Sequence, residues 1–137
     1  MPEATTKPTR PKFSNIHVTQ IVQYRMPPSA RVSIMHRVSG ALMFVLLPFI
    51  LYLFDLSITS ENTFSQLAAF AGHPLVKLVI LALSWAYLHH FCAGVRHLFM
   101  DLHMGIDKQS CNKSAMAVFA VSVPLTALVA LKLFGAF

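Results

Sequence analysis

Charge is scarce in this chain. Of its 137 residues only 12% are Asp, Glu, Lys or Arg, and only five are acidic, about half the charged share of a soluble globular domain. Cysteine is nearly missing too. Cys92 and Cys111 form no CxxC pair, no CxxCH sequence and no cluster-type set, which excludes a covalently attached haem, a thiolate metal site and an iron–sulfur cluster held by this chain alone. Cys92 reads most simply as a small apolar packing residue. Glycine-rich nucleotide fingerprints are absent, so a Rossmann dinucleotide site is excluded as well. No repeat with a period of about 20 to 50 residues occurs. The first twenty residues, MPEATTKPTRPKFSNIHVTQ, contain no apolar stretch that would serve as a secretory leader.

What is abundant is apolar. Hydrophobic residues make up 55% of the chain and the mean hydropathy is +0.60, a membrane composition. A helix needs about 20 mostly apolar residues to cross roughly 30 Å of hydrocarbon. Val38 to Phe54, Leu75 to about Met100, and Ala115 to Phe134 meet or approach that length. The expected fold is all-α and integral to the membrane, with three transmembrane helices. Residues 1–30 read as an N-terminal arm and residues 31–137 as the transmembrane domain. Pro2, Pro8, Pro11 and Glu3 fit an extended arm better than an amphipathic mitochondrial presequence, although Lys7, Arg10 and Lys12 keep the latter open.

The basic residues set an expected orientation. Lys7, Arg10, Lys12, Arg25, Arg31 and Arg37 precede the first span, Lys108 and Lys113 lie between the second and third, and the Asp55 to Pro74 connection has neither Lys nor Arg. The N-terminus and the second connection should therefore face the cytoplasm or matrix. The net charge of +6 is then a matter of topology, and nucleic acid is not an expected partner.

Against this background the stretch WAYLHHFCAGVRHLFMDLH, residues 85–103, is unusually polar. At 100° per residue, His90, Gly94, His97 and Asp101 fall on one helix face. His89, Arg96 and His103 make a second stripe, while Leu88, Phe91, Val95, Leu98 and Phe99 form an apolar, lipid-type face. A charge near the bilayer centre costs roughly 2.5 to 3.5 kcal/mol on insertion scales, so such groups are retained where they face protein, water or a cofactor. His89 and His103 are expected to satisfy themselves on a carbonyl or a neighbouring helix. Arg96 and Asp101 are expected to snorkel or pair at the interface. His90 differs, because Gly94 removes a side chain one turn away on the same face. A flat ligand such as haem requires such clearance and a neutral imidazole ligates its iron, but glycine at this spacing also packs membrane helices closely. In the first span, Ser33, His36, Arg37 and Gly40 again share a face. They read either as a polar helix start or as donors for a haem propionate or a quinone carbonyl.

The two motifs, SIMHRVSG at 33–40 and HHFCAGVRHLFMD at 89–101, together resemble the cytochrome b membrane-anchor subunit of succinate dehydrogenase, one of the two hydrophobic chains of complex II. The resemblance runs from about Arg10 to Lys113, with S-x-x-H-R-x-[ST]-G and H-x-x-x-G-x-R-H-x-x-x-D both intact. It implies a place in a hetero-oligomeric helical bundle. His90 would be an axial ligand of haem b, with the second ligand on a partner anchor subunit. His36, Arg37, Gly94 and His97 would lie near the haem or its propionates, Ser33 and Arg37 would line the ubiquinone pocket, and Asp101 would support the site. FAD and the iron–sulfur clusters would belong to the flavoprotein and iron–sulfur subunits. The implied location is a bacterial inner membrane with a cytoplasmic N-terminus, or alternatively the mitochondrial inner membrane. A haem-free structural anchor, a transporter or proton-channel subunit, and a fumarate reductase anchor remain as rival readings of the same residues.

Overall fold

The computed structural model describes residues 15–135, and every regular element among them is helical. A short helix α1 (Val18–Gln23) is followed by α2 (Pro28–Thr59), α3 (Glu61–Ala71), α4 (Pro74–Asp101) and α5 (Lys108–Leu133). Helices α2, α4 and α5 are each long and apolar enough to cross a membrane. The shortest, α5, has 26 residues and is about 39 Å long, more than the roughly 30 Å of a hydrocarbon layer. The three expected spans are therefore present as an all-α bundle. Lys7, Arg10 and Lys12, and the prolines Pro2, Pro8 and Pro11, lie outside the described residues.

The helices start earlier than the apolar stretches do, because hydropathy marks the membrane-grade centre of a helix while local chemistry sets its ends. Pro28 takes the first position of α2, after Pro27, where a missing N–H costs nothing and φ is already helical. The Asp107 carboxylate accepts from the N–H groups of Gln109 and Ser110 at 3.0 Å each and so starts α5. Hydrogen bonds from the Ser110 hydroxyl, then from these amides, hold that carboxyl below its ordinary value.

The connection from Asp55 to Pro74 is also more regular than its sequence suggests. Helix α2 continues to Thr59, and α3 begins at once behind a reciprocal cap. The Ser60 hydroxyl accepts from the Thr63 N–H and the Thr63 hydroxyl from the Ser60 N–H, both at 3.1 Å, so two orphan helix-start donors are satisfied together. At the other end of the bundle α4 stops in a Schellman-type turn. The Met104 N–H donates to the Phe99 carbonyl at 3.1 Å and the His103 N–H to the Met100 carbonyl at 2.9 Å, with His103 in the left-handed region at φ 59°, a position that glycine usually fills.

Helix α4 lies in the middle, packed against both α2 and α5. The three meet at Val32 of α2, Ala93 of α4, and Ala115 and Val118 of α5, all buried, with Cys92 and Phe119 against them. Small side chains let membrane helices approach closely, and close approach is what gains dispersion energy where lipid removes the hydrophobic drive. Outward the bundle is apolar. Phe44, Val45, Phe91, Leu98 and Phe99 are exposed, as lipid-facing or partner-facing surface is expected to be. Val32 and Ala115 lie near the starts of α2 and α5 and Ala93 near the end of α4. The junction therefore sits at the end of the bundle that carries Arg37, Arg96 and Lys113.

Candidate functional site

The first stripe of α4 faces α2. The His90 ring lies over Gly40, and a Cβ built on that glycine would stand 2.7 Å from His90 Cε1. The closeness has a use: His90 Nδ1 reaches the His36 carbonyl at 2.9 Å, and a carbonyl can only accept. Nδ1 must therefore carry the hydrogen, which leaves the Nε2 lone pair unprotonated in the neutral ring. The Ser39 hydroxyl, buried beside it, lies 3.2 Å from the same nitrogen and donates to the same carbonyl at 3.0 Å. An imidazole whose far nitrogen is fixed on a backbone carbonyl is the usual arrangement behind a metal-ligating histidine, since that bond sets the tautomer and the ring orientation.

Two further imidazoles complete a cluster. His36 stacks on His90 with ring centroids 4.1 Å apart and planes 14° from parallel, and His97 tilts against His36 at 5.0 Å. Gly94 faces this cluster, and a Cβ there would meet His36 Nε2 at 3.5 Å, an ordinary contact. Thus Gly40, rather than Gly94, is the position where only glycine fits. Ser33 and Arg37 begin the same face of α2, Ser33 half-buried and Arg37 exposed. Asp101 is the last residue of α4 and is exposed. The structure thus gathers His36, His90, His97 and Gly94 at one place, and sets Ser33, Arg37 and Asp101 towards the polar end of the bundle.

The second stripe faces α5 and departs from what its composition suggests. Arg96 does not snorkel. It is only 7% exposed, its Nε donates to the Ser114 hydroxyl at 2.9 Å, and its Nη2 donates to the Cys111 carbonyl at 3.2 Å. The reason is reach: α5 turns back so close to α4 that hydroxyl and carbonyl lie nearer than the interface. His89 is 1% exposed, lies between the rings of Trp85 and Phe119, and sits beside the backbone of Val32 in the neighbouring helix α2, although neither nitrogen makes a hydrogen bond of full geometry among the described residues. His103 is outside the helix altogether, in the turn.

Sequence reasoning gave no role to Ser39 and underrated Gly40, although both stand in the SIMHRVSG motif. The available signal was Gly40 on the shared face of Ser33 and His36. What it lacked was the knowledge that α4, and His90 in particular, packs there. A clear expectation follows for Gly40→Ala: the new methyl forces His90 to move, weakening its bond to the His36 carbonyl. Thermal denaturation of the purified complex should show a loss of about 1 to 3 kcal/mol, the usual range for overpacking. An unchanged midpoint would contradict this packing.

Comparison with known proteins points the same way as the motifs. Residues 8–129 match the family described as succinate dehydrogenase/fumarate reductase transmembrane subunit. The chain is similar to proteins named succinate dehydrogenase cytochrome b556 subunit from several bacteria. It is 31% identical to that of Rickettsia felis over 77% of this chain and 82% of the relative. It is 35% identical to that of Coxiella burnetii over 74% and 82%, and 31% identical to that of Paracoccus denitrificans over 77% and 81%.

Proposed function

Because the chain belongs to the succinate dehydrogenase/fumarate reductase transmembrane subunit family, we propose that it anchors a succinate:quinone oxidoreductase, binds haem b together with a second hydrophobic anchor subunit, and forms part of the ubiquinone-reduction site. The observation that carries this reading is the His90 Nδ1 bond to the His36 carbonyl. It reserves Nε2 as a lone-pair donor towards iron without any proton having to leave.

The residues present fit a b-type haem. His90 would ligate its iron, and His36, Arg37 and His97 are cationic or hydrogen-bonding groups suited to its propionates. Gly94 adds no bulk to the face they share. When bound, the haem supplies a one-electron redox centre within the membrane. The flavin and iron–sulfur clusters belong to the flavoprotein and iron–sulfur subunits in this account, which agrees with the cysteine content of the chain.

Quinone chemistry falls to Ser33 and Arg37. The Ser33 hydroxyl would donate a hydrogen bond to one quinone oxygen and fix the head group. The Arg37 guanidinium would then stabilise the negative charge that grows on that oxygen as electrons arrive, an effect largest where water is excluded and the donor is already in place. Arg37 keeps its charge at every physiological pH and so serves as donor without itself being consumed as a proton source. Asp101, exposed at the end of α4, would support the site from the same end of the bundle.

Affinity purification of the chain from native membranes tests the assembly. A flavoprotein, an iron–sulfur protein and a second hydrophobic subunit should co-purify with succinate-dependent quinone reduction. Recovery with transporter components instead would overturn the reading. The proposed setting is a bacterial inner membrane with the N-terminus in the cytoplasm. Reporters fused near Glu61 should accordingly read as periplasmic and those near Asp107 as cytoplasmic, and the reverse pattern would refute that orientation.

A further inference from the structure

The polar stripe that faces α2 is absorbed by the proposed haem and quinone sites, but the one that faces α5 is not. Beside Arg96 a cleft of about 450 Å³ runs between α4 and α5, with Phe91, Val95, Phe99, Met104, Ala117 and Val121 among its walls. Arg96 and Ser114 also line it, close to the α4–α5 turn, and Val121 marks its far end. Arg96 lies about 120° around α4 from His90, so this cleft and the imidazole cluster occupy different sides of the helix.

Arg96 is unusual in its electrostatics. Its charge is permanent and largely buried, yet both of its bonds go to neutral groups, the Ser114 hydroxyl and the Cys111 carbonyl. Among the described residues no carboxylate pairs with it. Asp101 is exposed at the helix end, and Asp107 spends its oxygens on the start of α5. Neutral acceptors satisfy the hydrogens of a guanidinium but leave its charge uncompensated, and a buried charge without a counter-ion is costly. The cleft is therefore apolar along its length and cationic at one end.

Its dimensions agree with its position in a bilayer. From Ser110 to Val121 α5 rises about 16 Å, close to half of the roughly 30 Å hydrocarbon layer. Arg96 lies about 8 Å of helix rise short of Asp101, a depth that a phosphate can reach beneath the head-group surface. One end thus offers a cation where lipid phosphates lie, and the remainder an apolar channel one leaflet deep.

We propose that this cleft is a binding site for one anionic phospholipid, with the phosphate against the Arg96 guanidinium and an acyl chain between α4 and α5. Arginine binds phosphate through a planar fork of donors, and the lipid supplies the charge that the protein lacks there. The occupied site would clamp α5 against α4 from outside, as the Arg96 bonds to Ser114 and Cys111 do from inside.

Lipid retained by the complex, purified whole in mild detergent, is the test. Extraction and mass spectrometry of the unmodified complex should find one tightly held anionic phospholipid for each copy of this chain. Arg96→Gln should weaken retention about ten- to hundred-fold, the loss expected for a charge-assisted hydrogen bond. Because Arg96→Gln also loosens the helix pair, Ala117→Phe provides a second arm. Ala117 is exposed and lines the cleft, and a phenyl ring there would obstruct the acyl chain while keeping the Arg96 guanidinium. This variant should lose the lipid while keeping the subunit composition and absorption spectrum of the unmodified complex. Full retention of anionic lipid by an assembled Ala117→Phe complex would overturn the proposal. So would a zwitterionic lipid held equally well in both variants, or a cross-link from Ala117→Cys to a helix of the second anchor subunit.

Discussion

Arg37→Ala should lower succinate-to-quinone electron transfer on the order of 10²- to 10³-fold, the usual cost of losing one positioned donor at a site of developing charge. Succinate oxidation with a soluble artificial acceptor should persist, since the flavin and clusters lie in other subunits of the proposed complex. Arg37 is exposed in the isolated chain, and neither Ser33 nor Arg37 has a side-chain hydrogen bond among the described residues. Both donors are thus available to a ligand instead of being engaged in holding the fold. Ser33→Ala should be milder, because a water can replace a hydroxyl, whereas none can replace the guanidinium charge. Parallel assays with quinone and with the artificial acceptor separate the two steps. An assembled Arg37→Ala complex that reduces quinone at the unmodified rate would reduce this residue to a topological anchor.

The other large effect belongs to His90. Replacement by alanine would remove the proposed lone-pair donor to iron, and the haem band of the purified complex should be lost or strongly altered. His89→Ala should leave the spectrum nearly unchanged, because the His89 ring is enclosed between Trp85 and Phe119 on the α5 side. Its consequence should instead be structural: the cavity destabilises, while removal of two buried nitrogens that make no hydrogen bond of full geometry offsets part of that loss. The midpoint should move less than for a buried apolar side chain of similar size. If His89→Ala abolished the band and His90→Ala preserved it, the assignment of faces would be wrong.

Much of this architecture is legible in the sequence because membranes make two simple demands. Three apolar stretches mark three spans, and the helical period places His90 with His97 and apart from His89 and Arg96. Period alone gives directions around a helix and not the identity of the neighbour. Hence the structure was needed to see that one stripe meets α2 and the other α5, and that Arg96 bonds Ser114 and Cys111 in place of snorkelling. The role of Gly40 is hidden for the same reason, since its need arises only when the His90 ring arrives from another helix. Helix α3 escapes a hydropathy reading because 11 residues are too few to span and its signal lies in the Ser60 and Thr63 cap. The end of α4 escapes because His103 occupies a left-handed turn position that a reader expects glycine to mark.

A difference spectrum of the purified complex, reduced with succinate and then compared with its oxidised form, tests the central claim most directly. It asks at once whether the complex containing this chain holds a haem and whether electrons from succinate reach it. The account predicts a b-type haem band that appears on addition of succinate and is lost in the His90→Ala complex. An intact complex that contains this chain, oxidises succinate and shows no haem band would contradict it.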